Sequence, residues 1–178
     1  MQKNQFKINN PEVLEFQEIF NLGLCYFKKY NMKTNYLYNE NCLDTMARMK
    51  DNFIDLTVTS PPYDNLRTYD GSLDWGEHIW KPVIQDLFRV TKQGGVVVWV
   101  VGDATIKGNE TGTSFKQALY FKDIGFNLHD TMIWHKSNAM PQVDKSRFCQ
   151  SHEYMFVWSK GKPKTAKPIT APTKNGGK

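Results

Sequence analysis

Six consecutive residues, Val96-Val97-Val98-Trp99-Val100-Val101, leave this chain few choices of fold. A nearly continuous β-branched run is the pattern of a strand buried inside a sheet. Such a strand needs helices packed against its sheet, and the flanking segments provide them. Residues 75–91 place Trp80, Val83, Ile84, Leu87 and Val90 at helical spacing, and Lys92-Gln93-Gly94-Gly95 is expected to end that helix. Residues 114–124 predict another helix, ending at Gly125, after a loop at 103–113 that carries Gly108 and Gly112. Further helices are expected at 11–21 and 43–50. Further strands are expected at 35–39, at 53–59 (also buried), at about 127–135 and at 152–159. Strand and helix alternate, so the fold class is α/β: a mostly parallel sheet with an antiparallel final strand pair.

The 178 residues fit one domain with a real core, and 13% aromatic content argues against disorder. The net charge of +5 is misleading as an average. Residues 160–178 hold six lysines and no acid, which leaves 17 basic and 18 acidic residues elsewhere. The basic character therefore belongs to a tail, not to the folded body. That tail, 161–178, also carries Pro163, Pro168, Pro172, Gly176 and Gly177 and is expected to be largely unpacked. Cys25, Cys42 and Cys149 are widely spaced and odd in number, which points to reduced thiols in the cytoplasm rather than a disulfide framework. No apolar run approaches membrane-spanning length, and the start lacks a signal-peptide core. The histidines build no metal site. Cys149 and His152 are three apart with no second ligand pair, and His152-Glu153 lacks the second histidine of a zinc-protease helix.

Chemistry concentrates at Thr59-Ser60-Pro61-Pro62-Tyr63, directly after the apolar run Phe53–Val58. Each proline fixes its own φ, lacks an N–H, and pushes the preceding residue out of the α region. The loop is therefore stiff and extended, with carbonyls left to accept hydrogen bonds. Ser60 adds a hydroxyl acceptor and Tyr63 a flat ring. A row of acceptors beside an aromatic plane suits a planar amine, such as the exocyclic NH₂ of a nucleobase. In open α/β sheets, ligands bind beyond the carboxyl ends of strands, where this loop is predicted to lie.

These residues resemble a known family. Leu37–Asp44 followed by Ile54–Tyr63 is similar to the amino-terminal part of DNA amino-methyltransferases, the enzymes that methylate N-4 of cytosine or N-6 of adenine. The likeness continues through Gly94–Asp103, Trp134–Pro141 and Ser151–Phe156, in the order of the permuted group whose catalytic loop precedes its cofactor loop. The resemblance implies a partial Rossmann-like methyltransferase sheet at 35–160, preceded by a helical extension at 1–34 and followed by the basic tail. It implies a DNA substrate, a flipped target base and S-adenosylmethionine as methyl donor, as in restriction–modification systems. It assigns the amine contacts to the Ser60 side chain and the Pro61 carbonyl, within a catalytic loop that also holds Pro62, and it stacks Tyr63 on the base. Acceptors around the amine hydrogens favour a pyramidal nitrogen and restore its lone pair. Serine at position 60 favours cytosine N-4 over adenine N-6.

The resemblance also places Asn41 and Asp103 near the cofactor, and Trp134, Asn138 and Pro141 along the base pocket. Asn41 stands where the family usually has an acid; capping the helix at 43–50 is an equal alternative. Asp103 reads equally as a turn or cap, and Trp134 as a core residue. The family's glycine-rich cofactor loop, Asp-Pro-Phe-x-Gly-x-Gly, is not found in these 178 residues. Two strands of the family's sheet are expected to be missing with it, leaving the edge of strand 53–59 unpaired. The expectation is therefore a fragment or split half that binds S-adenosylmethionine weakly or not at all alone and acts with a complementary methyltransferase half. Two alternatives are a catalytically silent remnant that holds nucleic acid through its lysine tail and an RNA methyltransferase.

Overall fold

The computed structural model describes residues 32–64, 75–139 and 147–165. The helix expected at 11–21 and the tail beyond residue 165 lie outside the described residues. The chain divides into two compact units, residues 1–50 and 51–178.

In the first unit, the described residues form one short helix, α1 (Cys42–Ala47). Asn41 sits at its amino end in an extended conformation, and its Oδ1 accepts from the Leu43 amide at 3.0 Å. The strand expected at 35–39 is not a strand. No ladder partner for it exists among the described residues, and Asn35 takes a left-handed φ of 54°. Side chains hold the segment instead. The Tyr38 hydroxyl accepts from the Lys33 amide at 2.7 Å, and the Tyr36 and Tyr38 rings meet edge-on at 4.8 Å.

In the second unit, the described residues form a four-stranded sheet with two helices on one face. Its strands are β1 (Ile54–Thr59), β2 (Thr91–Val101), β5 (Asn127–His135) and β6 (His152–Ser159), in the order β1-β2-β6-β5. β1 and β2 run parallel. β5 and β6 form the expected antiparallel pair, and β6 also runs antiparallel to β2. The helices are α2 (Glu77–Val90) and α3 (Thr113–Ile124). The loop expected at 103–113 contains a small hairpin, β3 (Thr105–Ile106) with β4 (Asn109–Glu110). Lys107 and Gly108 turn it with φ of 51° and 77°, the two positive values that a tight hairpin turn requires.

Lys92-Gln93-Gly94-Gly95 does not terminate α2 as expected; it lies inside β2. The helix stops at Val90 because Thr91 is extended, with its hydroxyl donating to the Leu87 carbonyl at 2.6 Å. The four residues then bulge. Ile54 pairs with Thr91 but Leu56 pairs with Val96. Gly94 makes the bulge possible. Its φ is 79°, and a Cβ there would come within 2.6 Å of the Lys164 side chain. The Lys164 amide donates to the Gly94 carbonyl at 3.1 Å, so the chain just beyond β6 is tied to the sheet.

The core lies between the sheet and the two helices. Trp80, Val83, Ile84, Leu87 and Val90 of α2 are all buried, as their spacing predicts. Val97, Trp99 and Val101 of β2 and Phe156 and Trp158 of β6 are buried too. Phe121 of α3 is the hub. Its ring stacks on Trp158 at 4.7 Å and meets Trp99 edge-on at 5.2 Å. Lys160 closes the carboxyl end of α2, donating to the Phe88 carbonyl at 2.7 Å and the Thr91 carbonyl at 3.0 Å. Burial pushes its ammonium pKa below the usual lysine value.

The other face of the sheet differs from the sequence reading. Strand register puts Leu56, Val58, Met132 and Trp134 there, with Val98, Val100 and Met155 between them. Leu56 is 59% exposed, Val58 66% and Trp134 55%. Thus 53–59 is not a buried strand but an edge strand with one wet face, and Trp134 is not a core residue. Neither helix among the described residues of this unit packs on that face: Gln117 and Phe121 of α3 meet Trp99, which points to the opposite side.

Candidate active site

The proline-rich loop leaves β1 where Thr59 pairs with Trp99, beside the carboxyl end of β2. Both strands point their ends at it, the position where open α/β sheets bind ligands. Ser60 is exposed, whereas Pro61, Pro62 and Tyr63 are half-buried. The Tyr63 ring lies over Gly102, whose missing Cβ would touch it at 3.5 Å. Its hydroxyl is 2.8 Å from Ser60 Oγ and donates to Glu153 Oε2 at 2.8 Å. The other Glu153 oxygen pairs with the Lys136 ammonium. The Lys136 amide in turn donates to the Ser151 carbonyl at 2.7 Å, fixing the end of β5 against β6.

A second cluster anchors the loop from behind. Asp64 takes a left-handed φ of 46°, which turns its carboxylate toward the β3–β4 hairpin. Its Oδ2 accepts from the Thr111 hydroxyl at 2.6 Å and from the Ala104 amide at 3.4 Å. Asp103 is buried next to it, and both of its oxygens are engaged by Ser114, Oδ1 by the amide at 2.8 Å and Oδ2 by the hydroxyl. Asp103 therefore caps the amino end of α3, the alternative that its sequence position left open.

The structure treats the predicted residues unequally. Ser60, Pro61, Pro62 and Tyr63 form one loop beside the carboxyl ends of β1 and β2. Trp134 stands directly opposite Glu153 across β5 and β6, exposed. Asn138 is exposed in the turn after β5, and Pro141 lies outside the described residues. Asn41 and Asp103, assigned to the cofactor by resemblance, both spend side-chain oxygens on helix caps. No group of three or more His, Cys, Asp or Glu among the described residues is placed to hold a metal. No helix among them is long and apolar enough to cross a membrane.

Sequence reasoning missed Glu153, Lys136, Asp64 and Thr111. Glu153 had one local signal: strand alternation puts it in line with Met155 and Val157, a carboxylate among apolar positions. Its partner, ninety residues earlier in the chain, has no such signal.

Residues 54–176 match the family model for DNA methylases that modify N-6 or N-4 amino groups. The chain belongs to this family. Among curated relatives, it is 62% identical over 122 residues to the orphan methyltransferase M.BamHII of Bacillus amyloliquefaciens, covering 66% of this chain and 44% of that one. Among solved structures, the PvuII DNA methyltransferase, described as cytosine-N4-specific, superposes with a TM-score of 0.61 at 21% identity. That superposition covers 77% of this chain and 53% of the PvuII enzyme. M1.HpyAVI, solved in complex with S-adenosylmethionine, gives a TM-score of 0.51 at 21% identity, covering 76% and 60%. The structural likenesses establish the Rossmann-like methyltransferase fold. This DNA methylase chain spans about half the length of the relatives it matches.

Proposed function

We propose that this chain supplies the base-gripping half of an S-adenosylmethionine-dependent DNA methyltransferase that acts on the exocyclic amine of a flipped base, cytosine N-4 in preference to adenine N-6. The observation that carries the reading is the placement of the Ser60–Tyr63 loop. Exposed Ser60 and half-buried Pro61 follow β1 directly, at the carboxyl ends of two paired strands, in a chain of the DNA methylase family. Among the described residues nothing donates to the Pro61 carbonyl, and the prolines on either side of that bond keep it from joining a ladder. The two acceptors can take the two hydrogens of one amine. The nitrogen lone pair, no longer shared with the ring, would form the new bond to the methyl carbon as the carbon–sulfur bond of S-adenosylmethionine breaks and S-adenosylhomocysteine leaves, and the extra proton goes to water. Trp134 and Asn138 line the base pocket in this reading, and Tyr63 flanks the base. S-adenosylmethionine is held with a complementary methyltransferase half that carries the glycine-rich loop, and the assembly works on cytoplasmic DNA.

The test combines this chain, labelled S-adenosylmethionine, duplex DNA and a separate polypeptide carrying the remaining half of a relative such as M.BamHII. Mass spectrometry of digested DNA distinguishes 4-methylcytosine from 6-methyladenine. The expected result is methylcytosine only when both polypeptides are present, with little donor binding by this chain alone in calorimetry. Persistent inactivity with a well-folded partner refutes the reading. DNA binding without transfer, weakening steeply with salt, would instead mark a silent nucleic-acid-binding remnant.

A further inference from the structure

We propose that Glu153 is a positioning residue: acting through Tyr63, it sets the direction of the hydrogen bonds at Ser60 and makes the Ser60 oxygen an acceptor. The inference rests on the reading that Ser60 grips the target amine.

A carboxylate has no proton to give, a phenol has one, and a serine hydroxyl has one donor and two lone pairs. The Tyr63 hydroxyl lies 2.8 Å from Glu153 Oε2 and donates to it. The single phenolic proton is thereby used. The 2.8 Å contact between Tyr63 and Ser60 can then be made only with Ser60 as donor. With its proton committed to Tyr63, Ser60 turns its lone pairs outward. An exocyclic amine presents hydrogens, so an outward lone pair is what it needs and an outward hydroxyl proton is what it must avoid.

The surroundings hold this direction. The Glu153 side chain is 16% exposed, and Lys136 supplies its counter-charge through the other oxygen. The Tyr63 ring and the Glu153 stem both pack over Gly102, where a Cβ would stand 3.5 and 3.8 Å from them, in ordinary van der Waals contact. Replacing Glu153 by glutamine reverses the logic. An amide N–H can donate to the Tyr63 oxygen, the phenolic proton is released toward Ser60, and the serine proton is free to point at the substrate.

Two measurements test this on the full chain. In the first, tyrosine is labelled with carbon-13 at Cζ, and the Tyr63 signal is identified as the one missing in Tyr63→Phe. Glu153→Gln should displace that signal more than Ser60→Ala does, because the phenolic proton points at Glu153. An unmoved signal in Glu153→Gln, or a larger displacement in Ser60→Ala, overturns the proposal. The second uses the two-polypeptide transfer assay. Glu153→Gln and Tyr63→Phe should each lower kcat by about tenfold or more, with KM for DNA changed by less than about twofold. The double variant should be no slower than the worse single one, since both break one relay. Losses that multiply, or a change confined to KM, overturn it. If the unsubstituted chain transfers no methyl group, the functional reading fails while the carbon-13 measurement still decides the role of Glu153.

Discussion

Asp103 offers the sharpest contrast between a structural and a cofactor role. Its carboxylate is 6% exposed and receives the Ser114 amide at 2.8 Å and the Ser114 hydroxyl, with Thr111 at 3.4 Å. Ser114 is itself fully buried, so in Asp103→Ala its amide would be left without a partner or water. Hydrogen bonds to a charged group contribute roughly 1.5–3 kcal/mol each, and the positive end of a helix adds about 0.3–1 kcal/mol for a nearby carboxylate. Relief from burying the charge offsets part of this, by roughly 1–3 kcal/mol. The net loss for Asp103→Ala is therefore about 3 kcal/mol, or a fall of roughly 6–12 °C in melting temperature for a chain of this size. Asp103→Asn keeps one acceptor and should lose about half as much. Urea unfolding followed by circular dichroism measures all three proteins, and Ser114→Ala completes a double-mutant cycle with coupling above about 1 kcal/mol. A loss below about 1 kcal/mol in Asp103→Ala, or no coupling to Ser114, would refute the capping role.

Three further outcomes are expected. Phe121→Ala removes the ring that joins Trp158 and Trp99 and should cost about 3–5 kcal/mol in the same unfolding assay; a cost under about 1 kcal/mol would mean the core is not centred there. The substitution valine to threonine should separate the two neighbouring strands: Val58→Thr, 66% exposed, should change stability by less than about 0.5 kcal/mol, and Val97→Thr, fully buried, should lose roughly 1–3 kcal/mol. Equal losses would show that β1 has no wet face. Glu40 should titrate below the ordinary 4.5 because the Arg48 guanidinium hydrogen-bonds its carboxylate, with Thr45 helping. Between the folded value and 4.5 the unfolded chain binds more protons, so the stability from this pair is complete above 4.5 and is lost as pH falls through the folded value. Carboxyl carbon-13 titration reads the midpoint, and Arg48→Met should bring it back up; an unchanged midpoint would sink the assignment.

Much of the scaffold was legible because it is written in local chemistry. Five apolar residues at helical spacing placed the buried face of α2, and all five are buried. The strands at 127–135 and 152–159 appear with those bounds. Errors arose where a local signal has two meanings. Gly94-Gly95 reads as a stop, but after a threonine already extended the same pair makes a bulge inside β2. An apolar run such as 53–59 reads as buried whether or not a second layer covers it, because pattern records which residues could pack, not what they pack on. Tyr36-Leu37-Tyr38 has strand composition, yet strands exist only as ladders.

The sequence by itself determined the stiffness of the Ser60–Tyr63 loop and its place at a strand end, since proline geometry and β-branched runs act within a few residues. It also carried enough ordered motifs to identify a DNA methylase. Only the tertiary structure decided which groups face one another. Asp103 and Asn41 became caps because folding presented them with unpaired helix amides. Glu153 met Tyr63 because β6 runs beside the end of β2, and a hydrogen bond across ninety residues depends on that register and on no local pattern.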